Sequence, residues 1–358
     1  MKTADNVKKH FTTQLLAWHH NDNDRDLPWK SEQDPYKIWL SEIILQQTRA
    51  LQGKPYYLRF IEAYPTISDM AAAADDDVFR IWQGLGYYNR CRNMLATARY
   101  VANELNGAFP ATYDGIIALK GIGPYTAAAI ASFAYGLPHA VVDGNVYRVL
   151  SRYFGIDTPI DSTQGKNLFT ALAEQLLDNK NSAAYNQAIM DLGATVCTPR
   201  NPLCPSCPLS KHCMAHKQQM TDLLPVKNKK IKVATRYFHY LLLHWDDKLW
   251  IHKRDDNDIW AGLHEPLLIE HTSQLTLQDI QQHPAFTSLG KTVTSITPTG
   301  KLTQRLTHRI VQSAFFTVSL KNEPTVMPAD GAWVPVADLG KIAFPKTLVS
   351  FLKNNLYF

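Results

Sequence analysis

The sequence predicts a multidomain chain: an all-α module, a cysteine-rich loop, a basic linker and a C-terminal α+β module. Three observations predict it. Residues 1 to about 190 read as one helical pattern after another, with few stretches that alternate with period two. Four cysteines then fall between Cys197 and Cys213. Beyond them the pattern changes to β-rich runs such as TRYFHYLLLHW and KLWIHKR. At roughly 100–200 residues per domain, 358 residues leave room for two domains or three.

The elements follow in order. DPYKIWLSEIILQQTRALQG reads as one helix, with Asp34 as N-cap, Pro35 in the first turn and Gly53 closing the C-terminus. Phe79 to Ala98, TYDGIIALK, PYTAAAIASFAYG and NVYRVLSRYFG follow the same logic. TDLLPVKNKKIKV, residues 221–233, has a proline, four lysines and little apolar content, and reads as a linker. Asp246-Asp247 between two β-rich runs signals a hairpin. KTVTSITPTGKLTQRLTHRIVQSAFFTVSL reads as further strands, and FPKTLVSFLKNNLYF as a closing helix. The expected domains are therefore 1–220, with the cysteine loop at 197–213, and 234–358, joined by the linker. No internal repeat is visible.

Apolar residues make up 45% and charged residues 19%, so the chain can bury sizeable cores and is not a disordered tail. Lys and Arg number 37 against 32 Asp and Glu, a net charge of +5. That mild excess suggests a polyanionic partner. By segment, 1–220 carries 21 basic and 20 acidic groups, the linker four and one, and the remainder twelve and eleven. The excess sits in the linker, where a solvated lysine run is an equally good reading. The longest nearly apolar run, Ala127 to Leu137, is half the roughly 20 residues a membrane span needs. The start, MKTADNVKKHFTTQ, has no apolar signal region. The expectation is a soluble, cytoplasmic protein.

Cys197, Cys204, Cys207 and Cys213 are spaced x6, x2, x5, which in an intracellular chain suggests a metal rather than disulfides. Zinc and a [4Fe–4S] cluster both suit four thiolates. Zinc sites more often pair two close knuckles, and here only Cys204 and Cys207 are close, so the spacing leans to iron–sulfur. Cys91, alone in a helical run, reads as a small core residue. Leu119-Lys120-Gly121-Ile122-Gly123-Pro124-Tyr125 lies between two helical patterns. Gly121 and Gly123 allow a tight turn with outward N–H groups and a helix N-terminus close by, an anion site suited to a DNA phosphate. A plain helix corner would look similar. Asp143, after an apolar stretch and before a helix, could serve chemistry or simply cap the helix. Glu42 sits among Trp39, Leu40, Ile43, Ile44 and Leu45, where desolvation would raise its pKa and suit a general acid. It could equally lie on a polar face with Ser41 and Gln46.

These pieces together resemble one family. LKGIGPYTAAAI, VDGNVYRV and the cysteine spacing are similar to the endonuclease III superfamily of helix-hairpin-helix DNA glycosylases. RDLPW, PYKIWLSEIILQQT, GLGYYNRCRN and YNQAIMDLGATVC resemble the MutY adenine DNA glycosylases closely. The likeness is dense from about residue 25 to 213 and weaker towards the C-terminus. It implies an all-α helix-hairpin-helix glycosylase core with an iron–sulfur loop, holding a [4Fe–4S] cluster on the four cysteines, plus a C-terminal MutT/Nudix-like domain. It implies base excision repair of adenine mispaired with 8-oxoguanine or guanine in double-stranded DNA, by a monomer associated with the nucleoid if bacterial.

The resemblance also implies roles. Glu42 would protonate the extruded adenine, and Asp143 would support an oxocarbenium-like sugar. Tyr125 and Asn145 would orient them. Bifunctional relatives carry a lysine at the Tyr125 position, and Lys120 lies before the hairpin, so the chain is expected to be monofunctional. Arg25, Leu27, Trp29, Leu45 and Gln187 would line the adenine pocket. Gln47 and Tyr87 would wedge into the duplex beside the oxidised guanine, with Tyr88 the adjacent alternative and a core role open to either tyrosine. Apart from the resemblance, Arg200 and Lys211 in the cysteine loop could meet phosphate, and plain surface solvation is an equally good reading. Residues 234–358 resemble the lesion-recognition domain of the family, with Leu306-Thr307-His308 where its members usually read Phe-Ser-His. Thr307 and His308 keep groups able to bond the oxidised base. After Gly262 the chain reads LHEPLLIEHTSQLTLQDIQQ, without the glutamate cluster of a Nudix hydrolase, so binding without hydrolysis is expected. The competing readings are a bifunctional pyrimidine-damage glycosylase and lyase, a non-enzymatic lesion binder, and a Nudix-type nucleotide hydrolase.

Overall fold

The computed structural model describes residues 2–228, 233–255, 258–328 and 330–355. The chain forms two compact units. One is Met1–Ala72 with Asn93–Lys229, the other Ala73–Arg92 with Lys230–Phe358. The stretch 73–92 thus belongs with the C-terminal unit although it lies within the helical half of the sequence.

The first unit is built from α1 (Lys2–Asn21), α2 (Pro35–Leu45), α3 (Ala50–Ala63), α4 (Ile67–Ala72), the Asn93 side of α6 (Tyr88–Glu104), α7 (Tyr113–Ile117), α8 (Pro124–Tyr135), α9 (Gly144–Phe154), α10 (Thr163–Leu176), α11 (Ser182–Thr195) and α12 (Met214–Lys217); α5 (Asp75–Trp82) lies in the second. Local chemistry sets the ends that matter for the site. Asp34 caps α2 and Pro35 starts it, as expected. Gly123 and Pro124 open α8, and Gly136, at φ 64°, closes it in the left-handed conformation that glycine adopts without strain. Phe11, Val149, Tyr153, Phe169, Ile189 and Leu192 lie in one core that joins α1, α9, α10 and α11. Cys91 is fully buried, as expected of a core residue. No helix among the described residues is long and apolar enough to cross a membrane.

Two expectations fail locally. The run 34–53 is not one helix: it breaks after Leu45, and Gln47 takes a left-handed backbone at φ 56°. Gly53 does not end a helix but lies inside α3, where an added Cβ would sit 2.8 Å from Leu45 Cδ2 and 3.2 Å from Ile44 Cγ2. Its role is close approach of α3 to α2. The run 79–98 likewise breaks at Gly84 and Gly86, φ 102° and 75°, between α5 and α6. Glycines there end a turn that helical periodicity alone runs through.

Part of the expected linker is packed. Leu224 is buried and its carbonyl accepts from Arg152 Nε at 3.1 Å, while Val226 accepts from Ile160 N at 3.1 Å. Residues 229–232 of that segment lie outside the described residues.

The second unit holds a mixed sheet of β1 (Ala234–Trp245), β2 (Lys248–Lys253), β3 (His264–Glu265), β4 (Leu267–His271), β5 (Val293–Arg305), β6 (Arg309–Leu320) and β7 (Ala332–Pro335), with α13 (Leu277–Gln282), α14 (Pro284–Thr287) and α15 (Lys346–Asn354). β1 runs parallel to β6, from Ala234 opposite Arg309 to His244 opposite Ser319, and antiparallel to β4. It is buried on both faces from Phe238 to Leu243, without alternation, and His239 is the polar member of that run. The Asp246-Asp247 hairpin forms with positive φ at both residues. Asp258 ties this unit's loop to Arg236 and Arg254, and Arg254 also meets buried Glu265.

Candidate active site

Glu42 lies on α2 between buried Trp39, Leu40, Ile43 and Ile44 and is itself only 5% exposed. It is not on a polar face: Ser41 is also buried, with its hydroxyl donated to Ile38 O at 2.8 Å. Burial pushes the Glu42 carboxyl up to about 7, the Tyr125 hydroxyl opposes by hydrogen bonding to it, and the charge of Asp143 adds to the rise. Among the described residues its Oε2 has no hydrogen-bond partner. Such an atom in a dry setting is costly unless it carries a proton or meets a ligand. Tyr125, the second residue of α8, is partly exposed as a whole, but its hydroxyl end is enclosed with Glu42 and Asp143, and its pKa is driven well up by burial and by both charges. Its ring borders a cavity of about 730 Å³, lined also by Tyr113, His139, Val142 and Tyr147.

Asp143 caps α9. Its Oδ1 accepts from Asn145 N and Val146 N, both at 2.8 Å, and its Oδ2 from Asn145 Nδ2 at 2.7 Å. Burial raises its pKa, while these three bonds favour the charged form and oppose the rise. The chain of bonds continues. Asn145 Oδ1 accepts from Arg148 Nη2 at 2.8 Å, and Arg148, nearly buried, donates to Gly193 O at 2.6 Å and to Cys197 O at 2.7 Å. The capping role and a chemical role are thus compatible: one oxygen satisfies the helix, the other is aimed by Asn145.

The structure brings Glu42, Tyr125, Asp143 and Asn145 together. The other expected residues are placed as follows. Arg25 Nη1 bonds Asp191 on α11 at 2.6 Å, Leu27 is buried, and Trp29 meets Tyr57 edge-on with centroids 5.4 Å apart. Leu45 follows Glu42 by three residues on α2, and Gln187 is partly exposed on α11. Gln47 is exposed. Gly121, at φ 78°, makes the hairpin turn, where an added Cβ would lie 2.7 Å from Asn93 Cβ, and Gly123 caps α8. In the second unit Tyr87 has φ 49°, is 45% exposed, and its hydroxyl meets Thr307 Oγ1 at the β5–β6 hairpin tip. The Arg90 guanidinium lies 5.5 Å from the Tyr87 ring centroid. His308 is exposed beside Thr307.

The four loop cysteines line one cavity, with Arg152 Nη1 3.4 Å from Cys197 Sγ. No three His, Cys, Asp or Glu side chains among the described residues are grouped so as to hold a single metal ion. Four thiols around one cavity are the donor set of a thiolate-bound metal centre. Arg200 and Lys211 are exposed on this loop.

Sequence reasoning missed Arg148, Asp191 and Gly193. Asp191, like Glu42, interrupts an apolar helical run, which was the available signal; Arg148 and Gly193 gave none. A Cβ on Gly193 would stand 2.6 Å from Asn145 Cβ and 3.2 Å from its Cα and C. Gly193→Ala is therefore expected to lower stability by about 1–3 kcal/mol and to disturb the aim of Asn145. Thermal melting and single-turnover excision at a temperature below the melt would check it, and the excision rate should fall by roughly 10-fold or more.

Comparisons with known proteins place the chain among DNA repair glycosylases. Residues 40–175 match the family described as HhH-GPD superfamily base excision DNA repair protein, and 239–354 match the NUDIX domain. An adenine DNA glycosylase of Buchnera aphidicola (subsp. Schizaphis graminum) is 35% identical over 253 residues, covering 71% of this chain and 73% of that protein. The adenine DNA glycosylase of Mus musculus is 42% identical over 217 residues, covering 58% of this chain and 42% of that protein. Among solved structures, a thermostable thymine-DNA glycosylase superposes with TM-score 0.56 at 31% identity, covering 60% of this chain and 99% of that one.

Proposed function

The chain belongs to the adenine DNA glycosylases of the HhH-GPD superfamily of base excision DNA repair proteins, and from that premise we propose that it excises adenine mispaired with 8-oxoguanine or guanine, without cutting the strand. The enclosed grouping of Glu42, Tyr125 and Asp143 is the observation that carries the mechanism.

The mispaired adenine leaves the stack and enters the site. Protonated Glu42 gives its proton to the purine ring at N7. The bond between C1′ and N9 then breaks with its electron pair going to the base, which departs as neutral adenine. The cationic sugar left behind is held by the Asp143 carboxylate, whose free-facing side Asn145 fixes. Water adds at C1′ and its proton returns to the Glu42 carboxylate, leaving an abasic site. Tyr125 has no amine, so no Schiff base can form there and no β-elimination follows.

Arg25, Leu27, Trp29, Leu45 and Gln187 line the base pocket in this reading, and Gln47 and Tyr87 enter the duplex opposite. Gly121 and Gly123 offer their backbone N–H groups to phosphate. Thr307 and His308, with Tyr87, read the oxidised partner base, and the NUDIX-like unit binds without hydrolysis: in the segment after Gly262, Glu265 is committed to Arg254 rather than to a metal. Cys197, Cys204, Cys207 and Cys213 would hold a [4Fe–4S] cluster, whose contribution is to brace their loop. Arg148 and Arg152 join that loop to α9.

The test is a single-turnover assay on duplexes pairing adenine with 8-oxoguanine, guanine or thymine, with and without alkali. Strand breaks should appear only after alkali and only at the mispaired adenine opposite 8-oxoguanine or guanine. Breaks without alkali would sink the monofunctional reading. Purified chain should carry four irons and four acid-labile sulfides; zinc instead would overturn the cofactor.

A further inference from the structure

We propose that Asp191 is a positioning residue for base recognition, a buried carboxylate that clamps the segment between α1 and α2 onto α11 and so sets where Arg25, Leu27 and Trp29 meet an extruded adenine. The inference rests on the reading of those three residues as pocket-lining. Residues 22–34 contain turns but no regular helix or strand, so their own backbone bonds do not hold them in one shape. They are held from outside. The Asp191 side chain is fully enclosed and takes Arg25 Nη1 on Oδ1 at 2.6 Å, and Lys30 Nζ at 2.7 Å and Asn23 Nδ2 at 2.8 Å on Oδ2. Lys30 also bonds the Arg25 carbonyl, and Asn23 returns to His19 Nδ1 at 3.0 Å near the end of α1. Among the described residues, every side-chain partner of the clamp thus comes from this one segment or the helix before it.

Burial alone would lift the Asp191 carboxyl. The bonds from Lys30, Asn23 and Arg25 outweigh it and hold the group below the usual aspartate range. The clamp is therefore ionic at neutral pH. Gln187 precedes Asp191 by one helical turn on the same face of α11, so the clamp also sets the spacing between Gln187 and the segment. Packing alone would be served by an apolar side chain, as at the buried neighbours Ala188, Ile189 and Leu192. Among the described residues no protein acceptor takes Arg25 Nε or Nη2, which leaves that edge of the guanidinium for acceptors on a base.

The experiment compares the full chain with Asp191→Asn on two duplexes opposite 8-oxoguanine. One carries an uncleavable 2′-fluoro adenine nucleotide, the other a tetrahydrofuran abasic analogue. Asp191→Asn should bind the abasic duplex within about threefold of the parent but the adenine duplex at least tenfold more weakly. Its single-turnover excision should fall by about 10²-fold. A purely structural role would lower the melting temperature and leave the ratio of the two affinities alone. Equal weakening on both duplexes, or excision within about threefold of the parent, overturns the proposal. Lys30→Met keeps Arg25 and Asn23 on Asp191 and serves if Asp191→Asn does not fold. It should move the same ratio in the same direction by less, and an unchanged ratio counts against the clamp. If the unmodified chain itself excises no adenine, the assigned activity fails, and the binding arms still judge Asp191.

Discussion

Glu42→Gln is expected to abolish adenine excision while leaving duplex binding close to that of the parent. The amide fills the same space beside Tyr125 but has no proton to give. General acid catalysis is typically worth 10²–10⁴-fold, and the upper end is expected here because the leaving base is a poor anion without protonation. The parent should lose rate as pH rises through about 7, where the raised carboxyl ionises. A flat profile across that window would sink the assignment. The same substitution should stabilise the fold. The folded carboxyl titrates at about 7 against 4.5 for an ordinary glutamate, so its favourable contribution is complete below 4.5 and lost as pH rises through 7. Above 7 the ionised group opposes folding by about 3 kcal/mol. Glutamine removes that term. Glu42→Gln should therefore melt above the parent at pH 8 and close to it at pH 5.

Asp143→Asn should be nearly as damaging, by a different route. Asparagine caps helices about as well as aspartate, so α9 should remain formed and circular dichroism should not change. On the proposed mechanism, what is lost is the negative charge that faces the sugar, an electrostatic effect on the order of 10²–10³-fold. The amide also breaks the direction of the hydrogen-bond chain. Arg148 donates to Asn145, and Asn145 donates to Asp143. An Nδ2 at position 143 would face a donor, and turning Asn145 over would place a second donor against Arg148. Single-turnover rates with binding measured in parallel would check this. Excision at parental speed would remove Asp143 from the mechanism.

Much of this arrangement is legible in the sequence because it is local. Asp34-Pro35, Gly123-Pro124 and Asp143 mark helix starts through chemistry carried within a few residues. Glu42 is different. Its neighbours in sequence are apolar, but whether the carboxyl points inward depends on the packing of α2, and only the structure decides it. The breaks at Gln47 and at Gly84–Gly86 were missed for the converse reason: periodicity continues across them while the backbone does not. Gly53 looked like a helix end because glycine often is one; the close approach of Leu45 and Ile44 is a tertiary fact. Asp191 and Arg148 depend on partners 166 and 45 residues away, Arg25 and Gly193, which no local pattern reveals.

Gln47 and Tyr87, at φ 56° and 49°, occupy backbone geometry that disfavours any side chain by roughly 1–2 kcal/mol per residue. Glycine would relieve the tension at both places, yet it would also restore a wide range of alternative shapes. Keeping a long amide and a phenol there means that the resting molecule already bears its discomfort. On the proposed reading of these two residues as duplex wedges, less disorder then remains to be surrendered when a damaged helix arrives, which should appear as a fast, weakly temperature-dependent approach rather than a slow rearrangement.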